Sequence, residues 1–419
     1  MIDDLGFYTV GTEKFYEKIP ALFRAQQLNV DPVWNFNDAV FQATDWKTEP
    51  TQTLDELYAE RARQIRDEYD YVLMFLSGGA DSTNMFYAFV NNGLHVDEVV
   101  ASAPLSGLRD WKSDPTNQDV TNTIDETFHT QLPFMQKIKD NYPKIKVTLH
   151  DYFEDMLNYE PDMWLLKCND WLHPTMAGRY NLDRYTYLKH IAESGKKIAI
   201  VQGIDKPAVV RYKNNFLISF YDTVYSNKYN SVNHPNTFAV FFYHSPQLPQ
   251  LIVKQAHETA KFLMTPAGSE AYSAMRFNDE KGNKSAFNPI GHVFKEVNGG
   301  VYERGIVPAI YPAIKKLSFQ AQKPDRMFLG RHDAWFYNLH SGTHAAQMMQ
   351  SDLDNLIGSI DKKYLNIHKY KGLLGFKIWK KFYSLGPVNK FLPNNSVSSD
   401  LILDFGNVDL SRIEQDMAI

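Results

Sequence analysis

Short apolar runs alternate with amphipathic stretches along much of this chain, most regularly between residues 54 and 263. "TLDELYAERARQIRDEY" carries apolar residues at helical spacing and predicts an amphipathic helix. "YVLMFL", from Tyr71 to Leu76, has the length and the aromatic and branched content of a strand covered on both faces. "STNMFYAFVNNG" then predicts a helix over 82–91, stopped by Asn92 and Gly93. Further strands are read in "DEVVASAP", "KIKVTLHDY" and "KKIAIVQG", with helices around 121–139 and in "NLDRYTYLKHIAES" between them. Strands separated by helices predict an α/β fold, a Rossmann-like parallel sheet with right-handed crossovers. After Gly203, "AVVRYKNNFLISFYD" reads as two short strands turning at Lys213, Asn214 and Asn215. "NTFAVFFYHSP" adds another strand, and "LPQLIVKQAHETAKFL" a helix.

The pattern divides the chain into three parts. Residues 1–68 form an N-terminal cap, with Trp34, Phe36, Phe41 and Trp46 scattered through a stretch punctuated by Pro and Asp. Residues 69–264 hold the alternating domain. Residues 265–419 are expected to be mainly helical, with "VNGGVY" as a turn and "PNNSVSSD" as a hinge.

Composition narrows the class. At 419 residues and 44% hydrophobic, the chain can bury a large core. No apolar segment is long enough to span a bilayer, and "MIDDLGFYTVGTEK" lacks the basic flank of a signal peptide, so no membrane and a cytoplasmic setting are expected. The Asn-, Tyr- and Lys-rich, cysteine-poor composition suits a bacterial or phage-infected cell. Cys168 is the only cysteine, which excludes a disulfide framework, a cysteine-based zinc or iron–sulfur site and paired-thiol chemistry within one chain. A net charge of -5 gives no general attraction to nucleic acid, although residues 361–390 carry eight lysines against one aspartate, with aromatics between them.

The chemistry concentrates where the first buried strand stops, at "SGGADS", Ser77 to Ser82. A loop between the carboxyl end of a parallel strand and the amino end of a helix gathers backbone N–H groups and the positive end of a dipole, and so favours an anion. Gly78 and Gly79 let the backbone approach a phosphate, and Ser77 and Ser82 supply hydroxyl donors. Asp81 would repel a polyphosphate unless a cation lay between them, which points to Mg²⁺. Neither G-x-x-x-x-G-K-[ST] nor G-x-G-x-x-G is present.

The six residues instead match S-G-G-x-D-S at every fixed position, and the segment resembles the PP-loop of the N-type ATP pyrophosphatases. That superfamily includes asparagine synthetase, GMP synthetase, NAD synthetase and tRNA lysidine synthetase. The resemblance implies the adenine nucleotide alpha-hydrolase-like fold of HUP type, binding ATP and Mg²⁺. It further implies that Leu76, Ser77, Gly78, Gly79, Ala80, Asp81 and Ser82 hold the nucleotide, the loop gripping its β and γ phosphates. Adenine would lie near Leu76 and the backbone of Ser102 and Ala103. A substrate oxygen attacks the α phosphorus in that family, releasing pyrophosphate, and a second nucleophile then displaces AMP. Gly203 and Asp205 resemble the glycine and downstream acid that many relatives place after a later strand, so Asp205 would share the metal with Asp81. Lys206 would neutralise charge at the α phosphorus, making Lys206 and Asp81 the catalytic pair. The same residues also suit an Asp-Lys-Pro turn into the next hairpin.

Departures from the family narrow the reaction. Ile2 stands where asparagine synthetase has its glutaminase cysteine, and the thiolating branches need cysteines absent here. What remains is adenylation of a carboxylate or carbonyl oxygen and its transfer to ammonia or an amine. The partners implied are a small-molecule acid and that amine, with a homodimer as a further option. Two alternatives stay open: a nucleic-acid-modifying enzyme docking tRNA or DNA through the basic residues 362–390, and an ATP-binding sensor or scaffold without turnover. Arg179 and Arg184 suit phosphate contact or solvent; Lys254, His257 and Lys261 form a helical stripe facing pyrophosphate or solvent; His340 and His344 have the spacing of a metal pair but lack a third ligand.

Overall fold

The computed structural model describes residues 6–103, 105, 130–151, 186–204, 207–212, 214–222, 236–266, 268, 277–278, 284–285, 309–311, 313, 355, 358–370, 373–376 and 379–392. Phe7–Val10 (β1) pairs antiparallel with Glu13–Phe15 (β2) and Val33–Asn35 (β3), and its alternate residues Tyr8 and Val10 point into the core. Between β2 and β3 runs helix Lys18–Leu28 (α1), ended by Asn29 in the left-handed conformation at φ 52°. After the short helix Asp38–Phe41 (α2), Leu54–Glu68 (α3) starts at a capping box in which Thr53 and Glu56 each bond the other's backbone N–H.

From there strand and helix alternate: Tyr71–Phe75 (β4), Ala80–Val90 (α4), Glu98–Ala103 (β5), Leu132–Asn141 (α5), Lys146–Asp151 (β6), Thr186–Glu193 (α6) and Ile198–Gln202 (β7). Ala208–Tyr212 (β8) and Asn215–Tyr221 (β9) form an antiparallel hairpin, followed by Thr237–Phe241 (β10) and Pro249–Leu263 (α7). C-terminal of these lie the short pair Phe277–Asn278 (β11) and Lys284–Ser285 (β12), then Leu365–Tyr370 (β13), Leu373–Phe376 (β14) and Lys380–Pro387 (β15).

The central sheet has five strands in the order β6-β5-β4-β7-β10, all parallel. Numbered along the chain this is 3-2-1-4-5, with the reversal of direction between β4 and β7. The period-two alternation of each strand sends Val72, Met74, Val99, Ala101, Ala199 and Val201 into a core with α3, α4 and α5. The intervening Leu73, Val100, Ile198 and Ile200 pack with Leu188 and Ala192 of α6. Helices therefore cover both faces, as continuous apolar strands require. The protein is α/β and Rossmann-like. Helix α3, assigned to the cap by sequence, shares the core of the sheet through Leu57, Ala62 and Ile65.

A second sheet, β15-β9-β8, is antiparallel and packs with the N-terminal strands and α7. Strands also occur in the C-terminal region that was expected to be mainly helical. The described residues of 362–390 form strands β13, β14 and β15 with short 3₁₀ turns at Lys362–Tyr364 and Val388–Phe391. Pairing decides the outcome: β15 lies along the whole of β9, and Tyr383 stacks on Trp46 with ring centroids 4.8 Å apart. Among the described residues no helix is long and apolar enough to cross a membrane.

Candidate functional site

The strand β4 ends at Phe75, and Leu76 adds one further sheet bond, its N–H donating to Val100 O at 2.9 Å. The backbone then reverses through Gly78, at φ 75°, and Gly79, the extended cap of α4. Gly78 is required twice over. Its dihedral is left-handed, and a Cβ there would lie 2.7 Å from the carbonyl carbon and oxygen of Thr130. Internal bonds tighten the loop: Ser77 Oγ accepts from Gly79 N–H at 3.2 Å, and Ser82 Oγ accepts from Ser77 N–H at 3.3 Å. The segment entering α5 braces it from outside, with Gln131 Nε2 donating to Leu76 O at 3.0 Å.

This loop stands at the carboxyl edge of the parallel sheet and between the two strands where the order reverses, the place where open α/β sheets bind ligands. Gly203, immediately after β7, meets the first turn of α4. A Cβ on it would sit 3.1 Å from Ser82 Cα and 3.3 Å from Asp81 O, so a side chain would push the strand end from the loop. On the other side Phe75 faces Val100, which puts the buried Ser102 and Ala103 level with the loop on β5. Leu76, Ser77, Gly78, Gly79, Ala80, Asp81, Ser82, Ser102, Ala103 and Gly203 are thus gathered at one edge of the sheet. Ser102 Oγ also lies 2.8 Å from Nδ1 of His150, at the end of β6, a neighbour the sequence showed only as a histidine closing a strand.

Asp81 is half-buried in the first turn of α4, and among the described residues two tyrosines hold it. Tyr243 donates its hydroxyl to the Asp81 carbonyl at 2.6 Å, and Tyr311 donates to Asp81 Oδ1. Asn84 Nδ2 in turn donates to Tyr243 Oη at 3.2 Å. Burial pushes the phenols of Tyr243 and Tyr311 well above their ordinary value, and the Asp81 charge pushes them further, so both remain donors. Tyr243 is placed by Arg61 of α3, whose guanidinium donates to Phe241 O at 3.0 Å and Phe242 O at 3.2 Å just beyond β10. Next to Tyr243, the buried His244 Nδ1–H donates to Ile204 O at 3.0 Å and fixes the chain after Gly203. Burial drives the His244 pKa down to about 3, so its ring is neutral. Tyr243 and Tyr311 escaped the sequence reading because they stand 162 and 230 positions from Asp81. For Tyr243 a signal was present in its position just past a buried strand.

Other expected residues are distributed differently. Asp205 and Lys206 lie outside the described residues, as do Cys168, Arg179, Arg184, His340 and His344. The α7 stripe contacts the loop before α3, with Lys261 still exposed to solvent at its far end. Lys254 and Lys261 bond Glu49 Oε1 at 2.6 and 2.7 Å, and His257 Nε2 lies 3.0 Å from Trp46 O. Burial opposes ionisation of Glu49, yet the two lysine bonds outweigh it and hold its pKa at about 2.

The donor set fits a polyphosphate and its cation. Magnesium at nucleotide sites takes one or two carboxylates and fills its shell with phosphate oxygens and water. Asp81 beside the first-turn amides of α4 meets that need, although no group of three or more metal-ligating side chains occurs among the described residues. Near the loop, the buried polar atoms Thr83 Oγ1 and Asn84 Oδ1 on α4, and Gln202 Nε2 at the end of β7, have no hydrogen-bond partner among the described residues. Comparison with protein-family models, curated proteins and solved structures found no match.

Proposed function

We propose that the protein is an ATP-dependent, AMP- and pyrophosphate-forming carbon–nitrogen ligase of HUP type, resembling the synthetase domain of asparagine synthetase. It adenylates a carboxylate or carbonyl oxygen and passes the activated group to ammonia or an amine. One observation carries this reading: an S-G-G-x-D-S loop with left-handed Gly78 stands at the reversal point of a 3-2-1-4-5 parallel sheet, opening helix α4.

Backbone amides of 78–82 and the hydroxyls of Ser77 and Ser82 would bind the β and γ phosphates, directing the substrate oxygen to the α phosphorus. Asp81 would hold the cation. When bound, Mg²⁺ supplies charge neutralisation on the departing pyrophosphate. Asp205 is proposed as a second metal ligand and Lys206 as the positive charge at the α phosphorus. Ser102 and Ala103 would flank the adenosine from β5.

The test is the products formed from ATP and Mg²⁺ in the presence of candidate acids and amines. Release of AMP and pyrophosphate is expected, with the adenylated species visible by mass spectrometry. Asp81→Ala should reduce pyrophosphate release at least ~10²-fold without loss of fold, the scale of removing a residue that acts on developing charge. Accumulation of ADP, or unchanged turnover in Asp81→Ala, would overturn the reading.

A further inference from the structure

We propose that Tyr311 is a positioning residue for Asp81: its hydroxyl sets the carboxylate that the loop presents to a cation, so docking of residues 309–311 completes the nucleotide site. The inference rests on the nucleotide-binding reading above.

Two buried phenols act on one residue. Tyr243 holds the Asp81 backbone carbonyl at 2.6 Å and Tyr311 its Oδ1, while the two rings pack 5.6 Å apart. Tyr311 is itself fixed from a distance: Tyr58 of α3 donates to Ile310 O at 2.6 Å, and Gln255 of α7 donates to Tyr58 Oη at 2.7 Å. A half-buried aspartate on a helix's first turn can take several rotamers, and a bond from a rigid phenol selects one. Metal-binding side chains are oriented in this way by a second layer of hydrogen bonds, and loss of such a bond typically weakens metal binding about 10–100-fold. Core filling alone would need the Tyr311 ring; it would not need the hydroxyl.

Tyr311→Phe in the full-length protein separates these roles. Mn²⁺ serves as the probe, with free Mn²⁺ followed by electron paramagnetic resonance in the presence of ATP, and ATP binding in EDTA measured by equilibrium dialysis. The expected result is about tenfold weaker Mn²⁺ binding, metal-free ATP binding within about twofold of wild type, and no additional loss when Tyr311→Phe is added to Asp81→Asn. Tyr58→Phe, which releases Ile310 without touching Asp81, should shift Mn²⁺ affinity in the same direction by less. Unchanged Mn²⁺ affinity in Tyr311→Phe, or equal loss of Mn²⁺ and metal-free ATP binding, would overturn the proposal. If Asp81→Asn weakens Mn²⁺ binding and Tyr311→Phe does not, only the role of Tyr311 falls. If wild type shows no ATP-dependent Mn²⁺ binding, the nucleotide-site reading falls and takes this inference with it.

Discussion

His244 is fully enclosed, bonded to Ile204 O at 3.0 Å and set edge-on to Phe220. Burial lowers its pKa from 6.5 to about 3, so the unfolded chain takes up a proton below pH 6.5 that the folded chain refuses. The stability this residue contributes is present above pH 6.5 and is lost as pH falls toward 3, at up to about 1.4 kcal/mol per pH unit. Urea midpoints should therefore drop between about pH 6.5 and 4, and His244→Phe should flatten part of that drop. A remaining slope of the same sign is expected from His257, whose pKa burial also lowers. Identical pH profiles for the two proteins would exclude the effect. At this scale legibility follows contiguity. Ser77 to Ser82 are consecutive, so the strand–loop–helix turn could be read directly, and the structure brings Gly203, Ser102 and Ala103 to the same edge. The grip on Asp81 is split over residues 81, 243 and 311, and no spacing rule connects them.

Secondary elements were legible wherever burial imposed one period on the sequence. The runs that became β4, β5, β7 and β10 are apolar on both faces because helices cover both faces, and the hairpin of β8 and β9 turns where its asparagines stand. Helix α4 begins at Ala80, two residues before the expected start, because Gly79 takes the cap. Strand β15 was not legible. It lies in a region expected to be mainly helical, yet it pairs along β9 and its Lys381 Nζ bonds Asp38 Oδ2 at 2.7 Å. Strand pairing with a partner more than 150 positions away overrides local pattern, and local pattern is all that a sequence displays. It follows that Lys381→Glu acts first on the fold. Two carboxylates would face each other at α2, and a loss of about 1 kcal/mol is expected, seen as a melting temperature roughly 2–4 °C lower. Retained stability together with lost, salt-dependent nucleic-acid binding would return the basic stretch to the status of an interface.

A buried ion pair ties the N-terminal strands to the second sheet. Asp222, at the end of β9, receives Lys18 Nζ of α1 at 2.9 Å, the Tyr8 hydroxyl of β1 at 2.7 Å and the Trp379 N–H at 3.1 Å. Lys18 and Asp222 are both fully buried, so neither charge has water to fall back on. The cluster joins the N-terminal strands, the hairpin and the entry to β15, segments that are far apart in the chain. The same core includes Ile252, Val253 and Ala256 of α7, and Gln255 on that helix bonds Tyr58, which holds the segment carrying Tyr311. Loosening the N-terminal unit is therefore expected to reach the loop through α7. Lys18→Met removes one charge and strands the other, which should cost about 3–5 kcal/mol of unfolding free energy. Adding Asp222→Asn should restore a large part of it, since the uncompensated carboxylate is what destabilises the single variant. Urea denaturation at pH 7 distinguishes the outcomes. A loss below about 1 kcal/mol in Lys18→Met, or a double variant no more stable than the single one, would mean that packing of the aromatic core, and not this ion pair, holds the two units together.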